Sequence, residues 1–582
     1  MQDGVSAAGY RDRVSRPDEF PPIESLAFLS DGVVTALVTA TGSVEWLCLP
    51  RMDGPSVFGA ILDRHAGHFR IGPVGGPVAT SRRYLPGSLV LETTWVTGTG
   101  TLVLTDALVV DEAGRSESCM VRTLRCTAGT LDIEVECAPS WGYGRHEPGP
   151  YQVVSDFLPI GAEPLVAGDV RVVTFTWADL PVVADGPHRI AATVGYWNDW
   201  LAGGGIPDGP YRPLLERSAL TLKGLVHAPT GAVMAAATTS LPETPGGTRN
   251  WDYRYTWIRD GVCTMAALQD MGFHEEAHAF LGFIADRMAA APLQVMYGIG
   301  GETELPESTL DHLSGYEGAR PVRIGNGAVH QRQHDMWGWL LHLMERDLVG
   351  RDVPVDDRSW ADIQQLAAEA TDHWRLPDQG IWEIRGAPRQ FGSSKLMAWV
   401  ALDRAARLAE RRGEPETSEA WRTEAAAIHD DLTTCGVDDR GVFTQTYGAP
   451  ALDASMLLVP LMGFLPGSDA RVQATVRAIA DGLTDQGLVL RYRPDEADDG
   501  VSASEEGTFT ICSFWLVSAL ARIGEIDPAR ALFERLVAFA SPLGLYAEEI
   551  EPATGRHLGN MPQAFSHLAL IGAALDLERA TG

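Results

Sequence analysis

The sequence predicts a multidomain β + α protein, an N-terminal β-sandwich followed by an all-helical domain. Three observations point there. The chain has 582 residues, too many for one hydrophobic core. Up to about residue 187 its apolar residues fall in short β-branched runs, often alternating and broken by Gly-rich turns. From about residue 211 the apolar period becomes helical. The expected division is a sandwich over 1–188, a connection over 189–213 and a helical domain over 214–582.

The strands come first. VVTALVTATGSVEWLCL, SLVLETTWVTGTGTLVLTDALVV, CMVRTLRCTAGTLDIEVECAP and DVRVVTFTWADL are rich in Val, Thr and aromatics. Many short strands with few helical patterns suit a sandwich. The connection contains GGGIPDGP, a breaker cluster. Helical patterns then recur near 211–226, 260–271, 274–289, 328–347, 358–373, 394–412, 417–433, 453–463, 469–484, 509–524, 527–540 and 562–578. In SKLMAWVALDRAARLAERRGEPE the face is formed by Leu396, Met397, Trp399, Val400, Ala405 and Leu408. Arg411 and Arg412 suit the negative C-terminal end, Gly413 can cap it, and Pro415 prevents continuation. No tandem period is visible, which argues against a solenoid. Helices in pairs could close into a double ring; periodicity gives their number, not the closure.

Composition narrows the class. The chain is 45% hydrophobic and 21% charged, with a formal net charge of −31. Nucleic acid and anionic membrane are disfavoured as partners, because either needs a concentrated basic surface. A neutral substrate is compatible, and the charge also serves solubility. Sixteen Trp offer stacking platforms as well as core. Seven scattered cysteines without a CxxC pair read as reduced, buried thiols. The first twenty residues lack a secretory pattern and no apolar run is long enough to span a bilayer, so a cytoplasmic location is expected. A homo-oligomer is compatible with this composition.

Several chemistries are missing. There is no GxxxxGK[ST] loop, no GxGxxG after a strand and no GxSxG elbow. His330 and His334 in HQRQHD could share a helix face. A metalloprotease helix, however, needs Glu where Gln331 stands, so helix surface or barrel wall is the better reading. The acidic loop Pro494–Gly507 lacks the ligand spacing of a calcium loop and reads as a solvated segment. No metal and no cofactor are expected.

What remains is four inter-helix loops where aromatics, arginines and carboxylates concentrate. They are RNWDYRYTWIRDG (Arg249–Gly261), LSGYEGARPVRIGN (Leu313–Asn326), GIWEIRGAPRQ (Gly380–Gln390) and YAEEIEPATGRHLGNMPQAF (Tyr546–Phe565). A sugar ring offers an apolar face to stack and hydroxyls for Asp, Glu and Arg. Glycoside hydrolysis needs two carboxyl groups, one protonated and one ionised. Glu383 beside Trp382, and Glu548 or Glu549 after Tyr546, are the candidates. Tyr316 and Arg323 in the second loop are candidate substrate contacts.

At these four loops the chain resembles glycoside hydrolase family 15, the glucoamylase and bacterial trehalase family. PPIESLAFLSDGVVTALVTATGSVEWLCLPRMDGPSVFGAIL resembles the opening of its prokaryotic members, so the resemblance runs along nearly the whole chain. It implies an N-terminal β-sandwich, a helical linker and an (α/α)6 barrel. It also implies an inverting, exo-acting hydrolase that removes one α-linked glucose. By the same resemblance Glu383 is the general acid, Glu548 the general base and Glu549 its uncertain neighbour. Arg259 and Asp260 would hold the terminal glucose, Tyr253 and Trp257 would frame the catalytic water, and Trp382 would stack beside the acid. Inversion would set the carboxyl groups roughly 6.5–9.5 Å apart. Fungal members carry a second carboxylate after the acid where this sequence has Ile384. That departure turns the expectation from starch toward a small neutral α-glucoside.

Trehalose is therefore the first substrate expected, with short α-1,4 or α-1,6 glucosides (glucoamylase or isomaltose type) as the alternative. A disaccharide phosphorylase would use phosphate in place of the base, and the AEE motif argues against it. A non-catalytic sugar-binding protein would be expected to have lost one carboxylate.

Overall fold

The computed structural model describes residues 19–147, 149–155, 163–177, 185–493 and 507–581. The chain divides into two compact units, Met1–Asn198 and Asp199–Gly582.

The first unit holds two antiparallel sheets. One has the order Ala27–Ser30, Thr35–Val38, Ser43–Cys48, His68–Pro73, Ile133–Ala138, with Ser56–Phe58 also paired to Ser43–Cys48. The other runs Gln152–Ser155, Val170–Thr176, Ser116–Leu131, Gly100–Val110, Leu91–Val96, Ser81–Tyr84, with Leu165–Val166 beside the third of these. Between them Phe58 and Phe69 of the first sheet meet Phe175 of the second, ring centroids 5.1–6.1 Å apart. Arg122, fully buried, pairs with Asp106 at 2.8 Å. It also donates to the carbonyls of Phe69 and Gly42 across the gap. A buried guanidinium is tolerated only when its charge is neutralised and its N–H groups are satisfied, and here both conditions hold.

The expected connection over 189–213 contains more order than its breakers suggested. Gly186–Ala202 is a helix. Its Ile190 packs against Val90, Ala107, Val109, Cys119 and Val121. Gly203–Gly205, directly after it, ends the helical run.

The second unit is built from helices of two kinds. Ile258–Asp270, Met336–Gly350, Gly392–Arg412, Thr510–Arg522 and Ala564–Thr581 are buried over much of their circumference. Thr510–Arg522 buries every residue from Thr510 to Ala521. The others show one apolar stripe. Asp357–His373 buries Trp360, Ile363, Leu366, Ala367 and Ala370, the i, i+3, i+4 pattern of a helix with one wet face. Glu275–Ala290, Pro415–Cys435, Ala470–Gly482 and Ile526–Ala538 are of this kind. The buried helices pack in sequence: Ile258–Asp270 on Met336–Gly350, and that helix on Gly392–Arg412. Thr510–Arg522 then packs on Ala564–Thr581, which returns to Ile258–Asp270. Between Gly392–Arg412 and Thr510–Arg522 lies the short segment Ala454–Leu461, which touches both. Arg212–Gly224 packs on Ala564–Thr581.

Several boundaries differ from the sequence expectation. The helix expected over 328–347 is a 3-10 turn, Gly327–His330, then an irregular stretch, then Met336–Gly350. His330 and His334 therefore share no helix face. His334 is buried and stacks on Trp337 at 5.0 Å, and burial pushes its imidazole down to about 4. The helix expected over 453–463 shrinks to a 3-10 turn and one α-turn ending at Leu461, with Gly463 at φ +74° just beyond. None of the seven cysteines is in a disulfide; Cys48, Cys119, Cys126 and Cys512 are buried, whereas Cys435 is exposed. The acidic loop Pro494–Gly507 lies outside the described residues except for Gly507. Among the described residues no helix is long and apolar enough to cross a membrane.

Candidate active site

One cavity of about 810 Å³, counted out to its open mouth, collects residues from the N-terminal approaches of the buried helices. Trp257, Arg259 and Asp260 enter at the start of Ile258–Asp270, and Gln331 just ahead of Met336–Gly350. Trp382 to Arg385 precede Gly392–Arg412, Arg491 and Phe509 precede Thr510–Arg522, and Glu548 and Gln563 precede Ala564–Thr581.

The stretch Arg249–Gly261 divides its side chains between two tasks. Trp251, Tyr253, Trp257, Arg259 and Asp260 line the cavity. Asp252 and Arg254 form a fully buried ion pair at 2.7 Å. The Asp252 carboxylate also accepts the Gly325 N–H at 3.2 Å, and its backbone carbonyl accepts the Asn326 amide at 3.3 Å. The first loop is thereby fastened to the second. Thr256–Trp257 pairs with Met296–Tyr297 before the chain turns into the helix.

The turn carrying Glu383 is tight. The Glu383 N–H donates to Gly380 at 3.3 Å, Gly380 has φ +68°, and Glu383 itself sits at φ +60°. A glutamate in the left-handed region costs on the order of 1–3 kcal/mol, so the surrounding structure must hold it there. Reciprocal backbone bonds between Asp378 and Arg389 close the loop. The Gln331 side chain ties down the Glu383 carbonyl at 3.0 Å. Gly380 cannot be exchanged freely, since a Cβ there would lie 2.8 Å from the Phe391 ring.

Three donors converge on one oxygen of Glu383. Oε1 accepts from Trp257 Nε1 at 2.6 Å, Arg259 Nη2 at 3.1 Å and Gln333 Nε2 at 3.3 Å. Oε2 has no donor among the described residues, so a proton carried by this group resides there. The indole that reaches Glu383 is thus Trp257's. Trp382, expected to stack beside Glu383, turns its N–H to Asp453 at 2.9 Å and still lines the cavity.

Arg259 is shared. Its Nη1 donates to Gln333 and to Asp335, each at 3.0 Å, while Nη2 reaches Glu383. Asp335 in turn accepts the Trp339 indole N–H at 3.0 Å. Asp260 is nearly enclosed. Burial pushes its carboxyl up to about 7, against the opposing charge of Arg259.

Glu548 is buried and its pKa is raised well above the ordinary carboxylate range, first by burial and then by the charge of Glu243. The Arg491 guanidinium, the Tyr253 hydroxyl and the Asn560 N–H oppose that rise. Arg491 lies 3.4 Å from Glu243, so the two acids face one guanidinium. Oε2 of Glu548 accepts the Asn560 N–H at 3.4 Å, whereas Oε1 is buried without a protein partner. Gly559, at φ +72°, leaves room for this carboxylate; a Cβ there would come within 2.5 Å of Oε2.

Three expected contacts are not among the residues lining the cavity. Glu549 opens the two-residue strand Glu549–Ile550, is fully buried and sits against Gly507. Tyr316 is buried, its hydroxyl 3.4 Å from Arg556. Arg323 lies behind the wall, its guanidinium on the Trp251 ring at 4.3 Å and its N–H groups on the carbonyls of Thr248 and Asn250. Conversely Arg385, Gln331, Arg491 and Gln563 line the cavity without having been singled out. Arg385 stands in GIWEIRG and Gln331 in HQRQHD, so both lay within stretches already marked. Arg491 and Glu243 carry no local signal. Among the described residues no cluster of three or more His, Cys, Asp or Glu could hold a metal ion.

A family model described as Glycosyl hydrolases family 15 matches residues 209–575, and one described as Trehalase-like, N-terminal, matches residues 12–162. A trehalase of Mycobacterium tuberculosis is 51% identical over 96% of this chain and 90% of its own length. A trehalase of Thermoplasma acidophilum is 34% identical over 94% of this chain and 98% of its own. Among solved structures, a bacterial glucoamylase complexed with acarbose superposes with a TM-score of 0.67. That match covers 97% of this chain and 96% of the other at 12% identity, a likeness of fold.

Proposed function

The chain belongs to glycosyl hydrolases family 15, and we propose that it hydrolyses trehalose to glucose by an inverting, exo-acting mechanism. Arg259 and Asp260 hold the hydroxyls of one glucose at the enclosed end of the cavity. Glu383 is the general acid and delivers the Oε2 proton to the bridging oxygen, its Oε1 being occupied by three donors. Glu548 is the general base. Its unpartnered Oε1 is the acceptor for the proton of the attacking water. Arg491 and the Asn560 N–H favour the ionised form that this task needs. Tyr253 stands beside the base, and Trp257 and Trp382 complete the wall.

The observation that carries this reading is that Glu383 and Glu548, 165 residues apart in the chain, line one cavity. The choice of trehalose rests on the relatives that bear that name at 51% and 34% identity. We read the first unit as a β-sandwich and the second as an (α/α)6 barrel, with 189–213 as the connection. The sequential packing of buried helices, returning from Ala564–Thr581 to Ile258–Asp270, supports the barrel.

The test is proton NMR of fresh product from trehalose, with isomaltose and maltotriose in parallel. Equal α- and β-glucose from trehalose is expected, because inversion converts only one of its two α-linked residues. Product that is α only would sink the inverting mechanism, and absence of cleavage would sink the substrate. Glu383→Gln and Glu548→Gln are expected to lower kcat by about 10²–10⁴-fold without changing Tm.

A further inference from the structure

Resting on that reading, we infer that Arg385, held flat by Trp251 and Glu307, grips the leaving glucose and sets the preference for a sugar leaving group. The cavity has a direction. Arg259 and Asp260 are 7% and 5% exposed, the Glu383 side chain is 21% exposed, and that of Arg385 is 36% exposed. A glucose anchored at the enclosed end and cleaved at Glu383 therefore places its leaving group toward Arg385. On that side Ile384 is buried and apolar and offers no hydrogen bond, so the next residue, Arg385, is the polar group available from this turn.

Arg385 is built in rather than loose. Its guanidinium lies over the Trp251 ring at 4.2 Å. It also forks onto Glu307, Nη2 at 2.7 Å and Nη1 at 3.3 Å. Glu307 is itself fixed by the Gly327 N–H at 3.0 Å and faces Arg323 at 3.6 Å. A guanidinium has five N–H donors, so this fork leaves others for sugar hydroxyls at little entropic cost. Trp251 carries Arg323 on its ring as well, at 4.3 Å. With guanidiniums over the ring, Trp251 acts on substrate through Arg385 and is a positioning residue, as is Glu307.

The experiment compares trehalose with 4-nitrophenyl α-glucoside, whose leaving group has no sugar hydroxyls. Arg385→Ala in the full chain is expected to lower kcat/KM for trehalose by about 10- to 100-fold. The aryl glucoside should change by less than about threefold, which is within the scatter of single-contact effects. Arg385→Lys, which keeps the charge and loses the fork, should not restore trehalose, and Glu307→Gln should shift the ratio in the same direction by a smaller factor. Equal loss on both substrates, or no loss on trehalose, overturns the assignment while the hydrolase reading stands. A wild-type chain that cleaves the aryl glucoside but not trehalose overturns the substrate reading and this inference with it.

Discussion

Glu383 combines a backbone conformation that a glutamate avoids with a carboxylate whose two oxygens have different surroundings. The strain at φ +60° persists because the Gln331 side chain, the Gly380 turn and the Asp378–Arg389 pair hold the loop. Its place on the cavity wall was legible as a candidacy in the sequence, because GIWEIRG sets it beside an aromatic in a local pattern. Its neighbours were not. Trp257 reaches it from 126 residues away, whereas adjacency in sequence had favoured Trp382. Glu243 was equally invisible, being buried next to Glu548 through tertiary packing alone. Like charge from Glu243 raises the Glu548 pKa, and the general base proposed here works only when ionised. Glu243→Gln is thus expected to move the acidic limb of kcat/KM toward lower pH. A pH–rate profile with that limb unmoved, or moved upward, would contradict the coupling.

Helices were legible wherever burial leaves one wet face. Asp357–His373 was expected over 358–373, and its N-cap Asp356 accepts the Ser359 N–H at 2.7 Å. Boundaries failed where the cavity wall interrupts the pattern. The stretch before Met336 reads as helical by composition, but Gln331, Gln333 and Asp335 leave the helix to serve Glu383 and Arg259. The helix Gly186–Ala202 did not show in the periodicity, because the glycines and prolines beside it dominate that stretch; only the family resemblance implied a helical linker. The two kinds of helix should respond differently to substitution. Phe514→Ala, in a fully buried helix where Phe514 meets Phe533 and Tyr546 at 6.0 and 5.9 Å, should cost about 3–5 kcal/mol. Asp356→Ala should cost only about 1 kcal/mol through the lost cap. Urea unfolding monitored by circular dichroism separates the two.

At the scale of the whole chain, a net charge of −31 suits a protein whose proposed ligand is neutral and enters without electrostatic steering. The change from strands to helices followed from periodicity, but closure did not, because no local pattern records that Ala564–Thr581 packs on Ile258–Asp270. Truncation after Gln563 removes the buried helix that meets Ile258–Asp270, Thr510–Arg522 and Arg212–Gly224. The truncated chain is expected to lose activity completely and to lose the cooperative thermal transition of the helical unit, as read by calorimetry. That same packing has a consequence during synthesis. The helix that completes the circuit leaves the ribosome after every helix it packs on, and Glu548 emerges only shortly before it. Until then Arg259, Asp260 and Glu383 stand at an unclosed end with much apolar surface uncovered, so a nascent chain lacks the proposed site until Ala564–Thr581 has emerged.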